Sequence, residues 1–300
     1  MRPYAAGNYR PLFYPMHYIF YKMESALVCH LSEANADRFA RFYARIWHAL
    51  DSSRRKIVQD NLQSLSPFLN ESFDNKKLKE ETYSTFLNFS RYLVEIFRLP
   101  VTKGDDVVKK VLPLDTVELD RVIAEGKGVI FYSAHFGNWE LSGVAMCHMG
   151  YEFTTVALPQ EDPRLEKMYS DWRSQHKMKV IPMGPSSGMK CLRTLKEGKL
   201  LALIADENYG DGNIEIDFLG KKLILPAGPA QLSRITGAPV IPGVMARLPG
   251  NQYKINLASP IYPINSGNEK TDLEVLTRQY MEALKPWLLE YPDQWYRFRS

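Results

Sequence analysis

Three hundred residues with 45% apolar and 24% charged content are enough for one large globular unit or two modest ones with a sizeable core. The net charge of +4 is too mild for a dedicated nucleic-acid binder and is compatible with an anionic lipid surface or an acidic carrier protein. Cys29, Cys147 and Cys191 are far apart and odd in number, which excludes a disulfide framework or a cysteine metal site and reads as free thiols in a reducing compartment.

Residues 1–16 are aromatic and contain Pro3, Pro11 and Pro15, which argues against regular structure there. That start has no signal-peptide pattern, and no run of about 18 apolar residues follows, so any membrane contact is expected to be peripheral. From Met16 to about Leu50 the spacing predicts helix, with Phe39, Phe42, Tyr43, Ile46, Trp47 and Leu50 at three- and four-residue steps. With Arg2, Arg10 and Lys22 nearby, this aromatic stretch reads either as a membrane-interface segment or as a helix packing its aromatics inward. Ser52 or Ser53 is placed to cap a helix to Leu65, which Pro67 stops, and a further helix is expected over Lys76–Phe97, ended by Pro100.

The texture changes after residue 100. A short helix is expected over Val117–Ala124, with Thr116 or Asp115 as cap, then a strand at Val129–Tyr132. A helix capped by Asn138 runs to His148, with Gly150 at its end. Strands are then expected at Phe153–Leu158, 179–181, Leu200–Ala205, Val240–Ala246 and Tyr253–Leu257. Helices are expected at Arg164–Lys177, Met189–Lys196 and Pro229–Thr236. Ile214–Phe218 and Lys222–Leu225 form an extended pair around Gly220, and an amphipathic helix over Thr271–Lys285 ends or kinks at Pro286. Strands alternating with short helices predict an α/β fold: a single mixed, mainly parallel central sheet flanked by helices. Without a linker or repeat, residues 1–300 are expected as one domain, with 1–100 a mainly helical part and 101–300 the α/β part.

Chemistry concentrates in Gly128–Gly143, GVIFYSAHFGNWELSG. His135 at the end of a strand and Glu140 in the first turn of the next helix are placed for proton transfer; the plain alternative is a structural His and a Glu that stabilises a helix N-terminus. Asp206-Glu207-Asn208 follows another apolar strand and reads either as a second polar edge of the same crevice or as an ordinary polar turn. His135, Glu140, Asp206 and Glu207 are metal-ligand types, yet no two-histidine spacing such as HExxH is present, and no metal is expected. Ser133 lacks the G-x-S-x-G setting of a nucleophile elbow. Among the basic residues from Arg164 to Lys199, one or two are candidates for a phosphate or an oxyanion, and Lys221-Lys222 for a membrane or carrier contact.

The block GVIFYSAHFGNWELSG closely resembles the signature of the bacterial lipid A biosynthesis acyltransferases, of the lysophospholipid acyltransferase-like superfamily, whose motif is His, four residues, then Asp or Glu. The resemblance runs through nearly the whole chain. Arg54 to Asn61-Leu62 with Pro67, Glu95, Asp162-Pro163 to Arg173, Asp206-Glu207, Phe218-Leu219-Gly220, Thr236-Gly237-Ala238-Pro239 and Pro292-Asp293-Gln294-Trp295-Tyr296 resemble its further motifs in order. Two departures stand out: Glu207 where the family has Gln, and an aromatic amphipathic start where it commonly has a membrane-anchoring helix.

The resemblance implies a glycerol-3-phosphate acyltransferase-like fold. It implies an O-acyltransferase moving a fatty acyl chain from an acyl carrier protein or acyl-CoA thioester to a hydroxyl of a lipid or glycolipid, a lipid A-type precursor or a related acceptor. His135 would be general base, Glu140 would hold its tautomer, Arg173 would stabilise negative charge, and Asp206 would position the acceptor or Arg173. Asn138, Trp139, Arg164 and Glu207 are the substrate-binding candidates. No cofactor beyond the thioester co-substrate is expected, and the implied location is peripheral, on the cytoplasmic face of a bacterial inner membrane. The rival readings are a catalytically silent lipid-binding protein of the same fold and a thioesterase or lipid hydrolase.

Overall fold

The computed structural model describes residues 14–69, 73–208 and 212–298. Of the expectation of irregular structure over residues 1–16, the part up to residue 13 lies outside them, while Tyr14, Pro15 and Met16 are helical, because a proline is tolerated in the first turn, where its missing N–H would have no intrahelical partner. Four helices come first: α1 (Tyr14–Cys29), α2 (Glu33–Leu50), α3 (Ser52–Leu65) and α4 (Asn75–Phe97). The continuous helix expected from Met16 to Leu50 is broken at residues 30–32. There the Ser32 hydroxyl accepts from the Asn35 amide at 3.3 Å and starts α2 afresh. The expected caps Ser52 and Ser53 are displaced by Asp51, whose carboxylate accepts from the Arg54 amide at 2.9 Å.

The short helices α5 (Gly104–Lys110) and α6 (Val117–Ala124) lead into β1 (Val129–Ser133) and α7 (Trp139–His148). Then follow β2 (Phe153–Ala157), α8 (Pro163–Gln175), β3 (Lys179–Pro182), α9 (Ser187–Lys196) and β4 (Leu200–Ile204). The hairpin β5 (Asn213–Phe218) and β6 (Lys221–Pro226), α10 (Gly228–Thr236), β7 (Val240–Leu248), β8 (Gln252–Leu257) and α11 (Glu269–Glu290) complete the chain. Helix α11 passes through Pro286 instead of ending there, because Leu284 and Leu288 on either side are buried in the core.

The central sheet has six strands in the order β3-β2-β4-β1-β7-β8, parallel throughout except for β8, which runs antiparallel to β7. The fold class read from the sequence is therefore the one observed. Alternation along the strands sends side chains to two cores. Phe131, Phe153, Ala202 and Ile241 face α7 and the N-terminal helices, joining Val144, Phe86 and Phe89. Ile130, Tyr132, Leu201 and Val244 face the other way, onto Leu195 of α9, Ala230 of α10 and Leu276 and Leu284 of α11.

Neighbouring strands β1 and β4 set the position of the site. After β1 the chain moves on to β2, on one side of the pair, and after β4 it moves to β7, on the other. The crevice beyond the carboxyl ends of such a strand pair is where open α/β sheets hold ligands. Among the described residues no helix is long and apolar enough to cross a membrane. Cys29, Cys147 and Cys191 are free, and burial pushes the Cys147 and Cys191 thiols up to about 11.

Candidate active site

Strand register brings the two polar edges together. Ser133 and Ile204 are paired, so His135 and Asp206, each two residues further on, meet just outside the sheet. Asp206 is 2% exposed and its Oδ1 lies 2.8 Å from His135 Nδ1. The same oxygen accepts the His135 backbone N–H at 3.1 Å, and Oδ2 accepts the Trp295 indole N–H at 2.9 Å. Burial by itself would raise this carboxyl; the His135 charge and the three hydrogen bonds outweigh it and hold Asp206 below the ordinary carboxylate value. With Nδ1–H directed at a carboxylate, Nε2 becomes the basic nitrogen of the neutral ring.

This pairing differs from the expectation that Glu140 holds the tautomer and that Asp206 positions the acceptor or Arg173. Asp206 supplies the hydrogen bond to Nδ1, while both oxygens of Glu140 engage Arg173 of α8, at 3.1 Å from Nε and 2.6 Å from Nη2. The physical reason is direction: Glu140 in the first turn of α7 reaches across to α8, whereas Asp206 leaves the strand next to β1. Burial would lower the Arg173 pKa, but the Glu140 charge outweighs it, so the guanidinium stays charged. A two-pronged pair of this kind uses two of the five Arg N–H donors and fixes the direction of the rest.

The loop carrying His135 is held from several sides. The His135 carbonyl accepts the Tyr296 amide at 2.8 Å, and the Gly137 amide donates to the Gln294 carbonyl at 2.9 Å. Gly137 has φ +56°, and a Cβ there would sit 1.9 Å from the Met245 carbonyl oxygen, so only glycine fits. Asn138 caps α7 through the Leu141 amide (2.9 Å) and donates through Nδ2 to Glu95 (2.5 Å). Glu95 also takes the Tyr253 hydroxyl at 2.6 Å and pairs with Arg247, tying α4 and β7 to the loop. Trp139 sets its ring edge-on to His135 at 5.2 Å and lies against Tyr92 at 4.0 Å. Burial raises the Tyr92 phenol well above its usual value, so the wall beside Glu140 and Arg173 stays neutral.

Of the sequence candidates, the structure gathers His135, Asn138, Trp139, Glu140, Arg173 and Asp206. Arg164 stands apart, nine residues before Arg173 on α8 and so about 13 Å away along the axis. It pairs with Asp162 at 2.7 Å and lies 4.6 Å over the Tyr18 ring. Glu207 follows Asp206 and is half-buried. The roles of Trp295 on Asp206 and of Glu95 beneath the loop were not assigned from sequence. The only sequence signal for either was its place in the motif resemblance.

Residues 11–300 match the family model described as bacterial lipid A biosynthesis acyltransferase. The chain is 30% identical over 164 residues to a phosphatidylinositol mannoside acyltransferase of Mycobacterium tuberculosis (strain CDC 1551 / Oshkosh), covering 52% of this chain and 51% of that protein. It is 24% identical over 216 residues to the phosphatidylinositol mannoside acyltransferase of Mycolicibacterium smegmatis (strain ATCC 700084 / mc(2)155), covering 71% of this chain and 69% of that protein. Against the Mycobacterium tuberculosis relatives the chain spans about half their length. With the family model matched over residues 11–300, the chain belongs to the bacterial lipid A biosynthesis acyltransferase family.

Proposed function

We propose that this protein transfers a fatty acyl group from an acyl carrier protein or CoA thioester to a hydroxyl of a lipid or glycolipid acceptor. The observation that carries the reading is the buried relay Trp295–Asp206–His135, set at the carboxyl ends of β1 and β4 beside the Glu140–Arg173 pair. His135 Nε2 takes the proton of the acceptor hydroxyl, and the oxygen attacks the thioester carbonyl carbon. Asp206 stabilises the imidazolium so formed. Arg173, anchored by Glu140, directs its remaining donors at the oxyanion or at an acceptor phosphate. The C–S bond then breaks, and the departing sulfur takes the proton from Nε2, leaving an ester and a free thiol. These residues need no cofactor beyond the thioester itself.

The mycobacterial relatives' name favours a glycolipid acceptor of the phosphatidylinositol mannoside kind. A lipid A-type precursor is the second acceptor compatible with the family. A peripheral position on a membrane, at the cytoplasmic face of a bacterial inner membrane, is supported by the first two helices. Helix α1 turns Tyr21 and Val28 inward but leaves Ile19, Phe20, Met23 and Leu27 exposed, and α2 leaves Phe42, Ile46 and Leu50 exposed. Exposed Lys22, Arg38 and Arg45 border these stripes and suit anionic headgroups. Tyr21, Phe39 and Trp47 pack inward as the packing reading of the aromatic N-terminal segment has it, and the exposed stripe on the other face is what supports the membrane contact proposed here.

The test is product analysis by mass spectrometry after incubation with carrier-linked and CoA-linked acyl donors and extracted polar lipids. An acylated lipid is expected. Free fatty acid alone would replace the reading with a hydrolase, and no turnover of either donor would leave a lipid-binding protein.

A further inference from the structure

The C-terminal residues 294–296 hold both members of the buried His135–Asp206 dyad. The Tyr296 amide donates to the His135 carbonyl at 2.8 Å, and the Trp295 indole N–H donates to Asp206 Oδ2 at 2.9 Å. The indole is itself fixed. It is buried, stands edge-on to Phe218 of β5 at 6.2 Å, and carries the Arg297 guanidinium 5.2 Å over its ring. Gln294 locks the segment to β7: its Nε2 donates to the Arg247 carbonyl and its Oε1 accepts the Arg247 amide, both at 2.8 Å. A phenylalanine would fill much the same apolar space as the indole, so packing alone does not call for the N–H.

Asp206 divides its two oxygens between different tasks. Oδ1 accepts from the His135 amide at 3.1 Å and faces Nδ1 at 2.8 Å, while Oδ2 accepts from Trp295. A buried carboxylate deprived of a donor gains proton affinity, pulls harder on the Nδ1 proton and stabilises the imidazolium more. The indole acts in the opposite sense. It draws charge toward Oδ2 and keeps His135 neutral, the form in which Nε2 can accept a proton. The other charged and titratable groups beside the dyad, among the described residues, belong to several elements. They are Tyr132 of β1, donating to the Ala205 carbonyl at 3.1 Å, with Tyr280 of α11 against it at 5.3 Å, the Glu140–Arg173 pair, Glu207, Tyr296 and Arg297. Replacing the indole by a phenyl ring leaves all of these in place.

We propose that Trp295 is a positioning residue of the acyl-transfer site: its indole N–H pins Asp206 Oδ2 and thereby sets how strongly His135 Nε2 takes up a proton. This rests on the acyl-transfer reading above and deepens it, by giving the C-terminal segment control over the strength of the base.

The test compares the wild type with Trp295→Phe by NMR titration of the His135 Hε1 resonance and by the pH profile of kcat/KM for thiol release with lipid acceptor. In Trp295→Phe the His135 pKa and the acid limb of the profile should both move up by about one unit, a tenfold gain in proton affinity. KM should change less than about twofold. In the wild type the Trp295 indole N–H resonance should shift through the same pKa as His135, a reading that needs no variant. A His135 pKa and acid limb that stay in place or move down in folded Trp295→Phe would overturn the proposal, as would a wild-type indole resonance indifferent to that titration. A wild type that turns over no acyl donor would overturn the acyl-transfer reading, while the NMR titration would still decide whether Trp295 controls the proton affinity of His135.

Discussion

Asp206→Asn keeps the shape of the side chain behind His135 and removes its charge. In the wild type the carboxylate meets Nδ1 at 2.8 Å and is 2% exposed, so little water screens the pair. With about 4 Å between charge centres and an effective dielectric of about 20, a carboxylate stabilises an imidazolium by about 4 kcal/mol. That is about three decades in rate if the imidazolium forms in the transition state. Asparagine adds a second effect: an amide N–H facing Nδ1 favours the tautomer with the proton on Nε2, which cannot act as base. The assay is the initial rate of thiol release from an acyl thioester in the presence of lipid acceptor, with circular dichroism to confirm the fold. A fall of about 10³ or more is expected; a fall of less than tenfold in a folded variant would refute the role given to Asp206.

The same substitution carries a pH signature. The folded-state carboxyl lies below its ordinary value, so the stability it contributes is fully present above the unfolded pKa of about 4 and is lost as pH falls through the folded value. Melting curves of the wild type should therefore converge toward those of Asp206→Asn on acidification below about pH 4.

Arg173→Ala strands a Glu140 carboxylate whose side chain is 7% exposed, and should cost about 3–5 kcal/mol in urea unfolding; the paired change Glu140→Gln with Arg173→Met should cost less than the two single changes together. Gly137→Ala must push its Cβ away from the Met245 carbonyl at 1.9 Å and away from a φ of +56°, so a loss of about 2–4 kcal/mol is expected, read as a lower melting temperature. Phe20→Glu combined with Ile46→Glu should weaken sedimentation with phosphatidylglycerol-containing vesicles by at least about tenfold, while unchanged sedimentation would remove α1 and α2 from the membrane contact.

Most of the α/β framework was legible because its strands are short apolar runs between glycines and polar turns, as with Val129–Ser133 and Leu200–Ile204, and because its helices repeat with a clear apolar period. Helix α5 was missed: at Gly104–Lys110 it is too short for periodicity to register, and it is placed by packing on α7, where Gly104 lies under the His148 ring. The passage of α11 through Pro286 reflects burial of the flanking leucines, which a local rule for proline does not include. In the site, the residue types were readable but one pairing was not. Glu140 is five residues from His135 and Asp206 is seventy-one, yet β4 lies beside β1, and strand order is a property of the whole sheet. Trp295 likewise reaches Asp206 only because the C-terminal segment returns to bridge Phe136.

The most direct measurement is the rate of acyl transfer by purified His135→Ala beside the wild type, followed as thiol release and as acylated lipid in the same reaction. If Nε2 is the base, both signals should fall together by several orders of magnitude while circular dichroism and melting temperature stay close to wild type. Transfer by a folded His135→Ala variant at the wild-type rate would contradict the account.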